Sequence, residues 1–265
     1  MLDEPPTGHD AQSIERSGTR LLGRLSVLRD AGVVHVTAVH DSPGALTTMR
    51  IGPSTPRSDH DFFVLCLVRA HADAIVSTLK NLRDEPQLRF ELLGDGTLPA
   101  ALHAYRRETL DRDGPPRLLL LTRDGDVDLG HPALHGWARP TLVMPIAAAP
   151  SMERRLRDAG LRSEVDVWAR RDSSMRATVD ELRARPEIRT VSIEAGPSTT
   201  RALYRDPCAI DALVLSRFEG PSLPAEVVGG ELVTTTSLES LLPVSGGRHA
   251  VTEPSGPWSF ELRHR

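Results

Sequence analysis

The sequence predicts an α/β protein with a mostly parallel central sheet, helices on both faces of that sheet and antiparallel strands at the end of the chain. Through 117–205, short apolar runs alternate with amphipathic segments at helical spacing. Such alternation is typical of parallel strands joined by right-handed helical crossovers. Two more apolar runs, 212–218 and 258–263, follow without a clear helix between them. Strands connected in this way usually run antiparallel.

The first part of the chain predicts a leader, a helix and a strand. Residues 1–12 show no apolar periodicity, so we expect a disordered leader before a single domain over 13–265. Apolar residues over 14–28 recur near helical spacing, which predicts a helix. The run 33–39 is rich in β-branched residues and ends at a turn signal, which predicts a buried strand.

The remaining elements follow from the same rules. A helix is predicted over 59–70, with Asp59 as its N-cap. Its apolar side chains are expected to face inward: Phe62, Phe63, Leu65 and Cys66. A short apolar run follows at 74–76. The later alternation predicts strands over 117–122, 141–144, 164–168 and 190–193, and helices over 152–159, 174–185 and 198–205.

The composition argues against several classes of protein. A net charge of −4 with only 3 Trp, 2 Tyr and 5 Phe offers neither a basic face nor a base-stacking surface, so nucleic acid is not an expected partner. No apolar run is long enough to span a membrane and the N-terminus has no signal-peptide pattern, so we expect a cytoplasmic protein without membrane contact. Cys66 and Cys208 lie far apart and the histidines share no ligand spacing, so no metal site is expected.

The stretch 190–200 carries the clearest signal for a ligand. An apolar strand runs into the small residues Ala195 and Gly196, and then into a helix start rich in hydroxyl groups. This point is the carboxyl end of a strand in a parallel sheet, where ligands bind. Small residues let a ligand approach the backbone, and the first N–H groups of a helix suit a phosphate. The alternative is an ordinary strand-to-helix turn with Ser198 as its N-cap.

Three blocks of sequence resemble the riboflavin-biosynthesis pyrimidine reductases, whose fold resembles dihydrofolate reductase. The run Glu194-Ala195-Gly196-Pro197-Ser198, continued by 210–215, is similar to the family's E-G-G-P turn and following strand. The run 67–76 resembles its L-R-A-x-A-D-A-V-L pattern, and 77–86 resembles the segment that ends in A-D-D-P. The run 258–263 is similar to its closing strand. The blocks cover the chain from about 33 to the C-terminus in the family's order.

This resemblance implies an NADPH-dependent reductase that converts the ribose of a phosphoribosylamino-pyrimidine, or a related small heterocyclic substrate, to a ribityl chain. The family acts as a homodimer, so a dimer is also implied. The implied substrate contacts are Arg69, Leu88 and Glu194. The implied cofactor contacts are Ser54, Lys80, Asp84, Gly196, Pro197, Ser198, Thr199 and Thr200. The zinc deaminase half of bifunctional members needs H-x-E and P-C-x-x-C, and the chain has neither.

Each implied contact also has a structural interpretation. Arg69 could instead pair with Asp73 one helical turn on, Asp84 could cap a turn, and Leu88 could belong to the core. These alternatives stay open at the level of sequence.

The sequence also departs from the family pattern. Ala195 stands where the family usually has glycine, and its methyl group is expected to impede a dinucleotide, so that Ala195→Gly would tighten NADPH binding. Lys80 replaces a threonine, and the family's early S-L-D-G turn corresponds either to 40–44 or to 48–51. These departures motivate a second hypothesis, in which the chain binds cofactor weakly or is not catalytic and serves as a binding or assembly module. A nucleotide-binding α/β protein of another family is a third.

Overall fold

The computed structural model describes residues 6, 8–42 and 44–265, and the strands and helices below are those of this part of the chain. The strands are β1 (Gly32–Ser42), β2 (Ala45–Met49), β3 (Ala74–Thr78), β4 (Arg117–Leu121), β5 (Pro140–Pro145), β6 (Asp166–Arg170), β7 (Thr190–Ile193), β8 (Ala212–Phe218), β9 (Val228–Thr234), β10 (Val244–Glu253) and β11 (Gly256–His264).

The helices are α1 (Ala11–Leu22), α2 (Ser26–Arg29), α3 (Asp59–His71), α4 (Leu79–Asp84), α5 (Leu98–Ala104), α6 (Ala149–Asp158), α7 (Met175–Arg183), α8 (Pro197–Thr200) and α9 (Thr235–Leu241). A π-helical turn, Tyr105–Thr109, follows α5, and 3-10 turns form at Pro132–Leu134 and Arg201–Tyr204. Among the described residues, no helix is both long and apolar enough to cross a membrane.

The strands form a single mixed sheet. Strands β8, β1, β7, β3, β4, β5 and β6 lie side by side in that order and run parallel. Strand β11 pairs antiparallel with β8, and β10 pairs antiparallel with β11. A second antiparallel extension runs from β1 through β2 to β9. The predicted fold class is confirmed, including the antiparallel strands at the end of the chain.

Helices cover both faces of this sheet because successive strand residues point to opposite sides. Val34 packs in one apolar cluster with Leu67 of α3, whereas its neighbour Val33 packs in another with Val179 of α7. The first face carries α1 and α3, and the second carries α7 and α9. The carboxyl ends of β1, β3, β7 and β8 therefore meet at one edge between two layers of helices.

Several expectations about individual elements were wrong. Helix α3 is capped by Ser58, whose Oγ accepts a hydrogen bond from the Asp61 N–H at 2.9 Å, and not by Asp59. Phe62 does not face inward, since it is 39% exposed. Helix α9 lies between the last strands, where no helix was expected. The alternative of a turn capped by Ser198 does not hold either, since the N-cap of α8 is Gly196.

The N-terminal helix begins earlier than its periodicity indicates. Asp10 accepts a hydrogen bond from the Ser13 N–H at 2.7 Å, and Ser13 Oγ accepts one in return from the Asp10 N–H at 3.1 Å. This reciprocal capping box starts α1 at Ala11. The helix thus includes the last two residues of the segment expected to be a leader, while 1–5 and 7 lie outside the described residues.

Candidate functional site

A buried ion pair lies at the carboxyl edge of the sheet, between the end of β7 and the last turn of α3. Arg69 donates from Nη2 to Glu194 Oε2 at 2.7 Å and from Nε to Oε1 at 3.0 Å. Its Nη1 donates to the carbonyl oxygens of Arg89 and Glu91 at 2.9 and 3.2 Å. The guanidinium also lies 5.2 Å from the centre of the Phe90 ring.

Both partners of this pair are shielded from solvent, with side-chain exposures of 1% for Arg69 and 9% for Glu194. Burial opposes the charge of Arg69, but the Glu194 carboxylate outweighs it and raises the pKa of the guanidinium. The pair brings together two of the three predicted substrate contacts. The arginine is therefore held by Glu194 and by backbone carbonyls.

The local alternative for Arg69, a pair with Asp73, is not what the structure shows. The Asp73 carboxylate instead accepts hydrogen bonds from the backbone N–H groups of Arg189 and Thr190, both at 2.8 Å. It also lies 3.4 Å from Arg112 Nη2. Asp73 thus fixes the start of β7, whereas Arg69 fixes its end.

The backbone at Glu194 is anchored as firmly as its side chain. Its N–H donates to the Val76 carbonyl at 2.9 Å, so it continues the pairing of β7 with β3. Its carbonyl accepts from Ser77 Oγ at 2.6 Å and from Asn81 Nδ2 at 3.0 Å. These hydrogen bonds join the end of β7 to β3 and α4. They fix the position of the residue from which the following turn begins.

The turn after Glu194 has one residue directed inward and one directed outward. Ala195 is 8% exposed and belongs to the apolar cluster beneath α7, so its methyl group fills the core. Gly196 is exposed and has φ −70° and ψ 168°, and a Cβ built on it would meet none of the described atoms within 4 Å. The structure removes the reason to expect Ala195 to impede a ligand. The open approach to the backbone lies at Gly196.

The rest of the predicted cofactor turn is short and packed from one side. Helix α8 has only four residues, and the Gly196 carbonyl accepts from the N–H groups of Thr199 and Thr200 at 3.0 and 3.1 Å. Strand β9 lies against Pro197, since a Cβ on Gly230 would come 3.0 Å from its Cγ. Ser198 is exposed. The turn presents Gly196 and Ser198 to solvent.

The other predicted contacts are more peripheral. Lys80 and Asp84 form an ion pair one turn apart on α4, with side-chain exposures of 62% and 54%. Leu88 is half-buried against the cluster that contains Leu82. Ser54 lies in an exposed turn after β2. Within the described residues, no hydrogen bond or ion pair joins Ser54 or Leu88 to the Arg69–Glu194 pair.

Two carboxyl groups that sequence reasoning missed have pKa values shifted toward neutrality. Burial raises the pKa of Glu85 to about 7, with Arg69 opposing the shift and Asp84 and Glu194 adding to it. Burial also raises the pKa of Asp61 to about 6, with the Ser216 hydroxyl opposing and Glu253 adding. Glu85 therefore holds a proton near neutral pH close to the Arg69–Glu194 pair. The sequence offered one signal for Glu85, its place in the 83–86 segment, and this does not reveal that the side chain is buried.

The described residues contain no group of three or more His, Cys, Asp or Glu side chains arranged to hold a metal ion. The chemistry that the site can support is binding of a polar ligand along an exposed turn, next to a fixed carboxylate and a carboxyl group able to give up a proton.

Solved structures of reductases share this fold. The chain is similar to a pyrimidine reductase-like protein from Corynebacterium diphtheriae, at 23% identity and a TM-score of 0.62, over 94% of this chain and 98% of that one. It is similar to RibD from Acinetobacter baumannii, at 15% identity and a TM-score of 0.58, over 88% of this chain and 58% of that one. The riboflavin biosynthesis reductase Rib7 from Saccharomyces cerevisiae matches at 12% identity and a TM-score of 0.52, over 95% of this chain and 98% of that one.

No protein-family model and no curated protein matches the chain. The structural likeness shows a shared fold, and it is the fold that the sequence resemblance implies. The chain spans 58% of the length of the Acinetobacter protein.

Proposed function

We propose that the chain is an NADPH-dependent reductase of a phosphoribosylamino-pyrimidine or a related small heterocyclic substrate. The observation that carries this proposal is the open turn at Gly196, placed directly beside the buried Arg69–Glu194 pair at the carboxyl edge of a parallel sheet. Ligands of open α/β sheets bind at this edge. The shared fold with riboflavin-pathway reductases supports the same reaction class.

The turn fits a dinucleotide in one specific respect. A ligand phosphate can reach the backbone at Gly196 because no atom of the described residues occupies the place of its absent Cβ. Ser198 is exposed beside it, and Pro197, Thr199 and Thr200 complete the predicted contact set. NADPH bound there supplies the hydride for reduction.

The carboxyl groups have separate roles in this proposal. Glu194 is held by Arg69 in one orientation, so it can accept hydrogen bonds from sugar hydroxyl groups without moving. Arg69 acts through Glu194 rather than as a free partner for phosphate. Glu85 retains a proton near neutral pH and can donate it to an oxygen or nitrogen of the substrate when the hydride adds.

The remaining assignments stand as parts of the same proposal. Lys80, Asp84 and Ser54 line the approach of the cofactor, and Leu88 lies along the substrate. The protein works on a small molecule in the cytoplasm as a homodimer. Sedimentation that shows only a 28.9 kDa species would remove the dimer.

A titration with NADPH tests the proposal. We expect saturable quenching of protein fluorescence, with NADH as the comparison ligand. Turnover would then be followed by loss of nicotinamide absorbance with the phosphoribosylamino-pyrimidine as substrate. Absence of a saturable signal up to millimolar NADPH would contradict the reductase and support the binding or assembly module.

A further inference from the structure

A second buried polar pair lies on the opposite face of the sheet, below the turn that follows Glu194. His35 of β1 is fully buried, and its Nδ1 lies 2.6 Å from the hydroxyl oxygen of Tyr204, which is 8% exposed. The two rings meet edge to face, with centroids 5.8 Å apart. Tyr204 ends the 3-10 turn that directly continues α8. The pair therefore ties the far end of the 195–204 segment to a central strand.

The near end of this segment is carried by the neighbouring strand, since β1 pairs in parallel with β7 and His35 lies opposite Ile193, two residues before Ala195. The His35 Nε2 is buried and has no hydrogen-bond partner among the described residues. Burial lowers the pKa of His35 to about 4, and the backbone of Ala195 is close enough to oppose that shift. Burial holds the pKa of Tyr204 well above its usual range. The ring is therefore neutral, which suits Nδ1 accepting the hydrogen bond from the Tyr204 hydroxyl.

A neutral polar pair is a costly way to fill a core position. An apolar pair would avoid the desolvation of two polar groups. What the buried hydrogen bond contributes instead is a fixed relative orientation of the two side chains. Here the hydrogen bond fixes the position of Tyr204 relative to β1, the strand that pairs with β7 just before Gly196.

We infer that His35 and Tyr204 are positioning residues: their hydrogen bond clamps the far end of the 195–204 segment to β1, the strand that pairs with β7 just before the near end, and so holds the Gly196 turn ready for its ligand. This inference rests on the proposed function for the identity of the ligand. The rigidity of the turn is independent of the proposed function and can be measured without a ligand.

The chain contains a matched control for this pair. His71 and Tyr105 form another buried pair, with Nε2 and the hydroxyl oxygen 3.2 Å apart and ring centroids 5.7 Å apart. Tyr105 packs in the cluster on the first face of the sheet, whereas Tyr204 packs on the second. Tyr105→Phe thus removes a comparable buried hydroxyl without touching the 195–204 segment.

The experiment compares Tyr204→Phe with Tyr105→Phe by hydrogen exchange without ligand and by NADPH titration. Both variants should lower the denaturation midpoint. Only Tyr204→Phe should speed amide exchange within 195–204 and raise the Kd for NADPH, by about tenfold for a hydrogen bond of about 1.4 kcal/mol. The double variant His35→Leu with Tyr204→Phe should regain stability through apolar packing but keep the fast exchange.

Unchanged exchange over 195–204 in both Tyr204 variants would overturn the inference, whatever NADPH does. Faster exchange with an unchanged Kd in a protein that binds NADPH would also overturn it, because the rigidity would not serve the ligand. Faster exchange in a protein whose wild type does not bind NADPH would uphold the clamp and contradict the proposed function.

Discussion

The substitution Gly196→Ala distinguishes the effect of this turn on protein stability from its effect on ligand affinity. The backbone at Gly196 has φ −70° and ψ 168°, which any residue adopts, and within the part of the chain that the structure describes an added Cβ would meet no atom within 4 Å. The substitution should therefore be accommodated without rearrangement. Any large effect must come from something that approaches the backbone from outside.

The expected change in stability is small because two effects oppose each other. Replacing glycine by alanine at a compatible position reduces the entropy of the unfolded chain and stabilises by about 0.4–1 kcal/mol. Gly196 is also the N-cap of α8, where alanine is disfavoured relative to glycine by roughly 0.5–1 kcal/mol. The net free energy of unfolding should change by less than about 0.5 kcal/mol.

The expected change in affinity is much larger. A methyl group between a phosphate and the backbone displaces at least one hydrogen bond to a charged group, worth about 1.5–3 kcal/mol. The Kd for NADPH should rise by roughly 10- to 100-fold.

The assay is a fluorescence titration with NADPH, combined with a denaturant melt of the same preparations. Gly52→Ala is the matched control, since Gly52 opens the other Gly-Pro-Ser-Thr sequence of the chain and its Cβ would meet only Thr55 Oγ1, at 3.9 Å. Wild-type affinity in Gly196→Ala would refute the reasoning, because it would show that no ligand group reaches this backbone. An equal loss in Gly52→Ala would place the phosphate contact near Ser54 instead.

Three further variants test the site. Glu194→Gln leaves the buried charge of Arg69 without its counter-charge and should lower the free energy of unfolding by about 3 kcal/mol in a denaturant melt. Glu85→Gln should stabilise the protein by about 1–2 kcal/mol at about pH 8 and leave its stability unchanged at about pH 4. The reason is that the pKa of Glu85 is raised on folding, so the wild type loses stability as the pH rises from the pKa of the unfolded chain through about 7. The control is the exposed Glu187→Gln, for which denaturant melts at the two pH values should show no such difference. Ala195→Gly should cost about 1–2 kcal/mol through a lost buried methyl group and a more flexible unfolded chain, with unchanged NADPH affinity by titration.

The sheet could be predicted where the pattern is local. Strands β4, β5, β7 and β8 are short apolar runs, and their predicted bounds agree with the observed ones to within one residue. Strands β9 and β10 were not predicted because they lack this pattern. Strand β9 contains two adjacent glycines, and most of β10 is exposed, so its register is set by pairing with β11 rather than by an apolar face.

The site could be predicted only in part, for a related reason. Arg69 and Glu194 were both singled out, but they are 125 positions apart and their pairing depends on how α3 packs against the sheet. The raised pKa of Glu85 depends on burial contributed by the tertiary structure, which an acidic residue beside a proline does not reveal. The inward direction of Ala195 follows from its place two residues after the buried Ile193, and this alternation could have been extended beyond the strand.

The two cations predicted at the site differ in what they can still bind. Arg69 is 1% exposed and paired with Glu194, and removing either partner of a buried pair costs about 3–5 kcal/mol, so a substrate phosphate cannot recruit it cheaply. Lys80 is also paired, with Asp84, but both side chains are more than half exposed, and such pairs contribute roughly 0–1 kcal/mol. A phosphate can therefore draw Lys80 away from Asp84 at little cost. Of these two cations, Lys80 is therefore the one that an anion can engage at low cost, while Arg69 holds the Glu194 carboxylate in place.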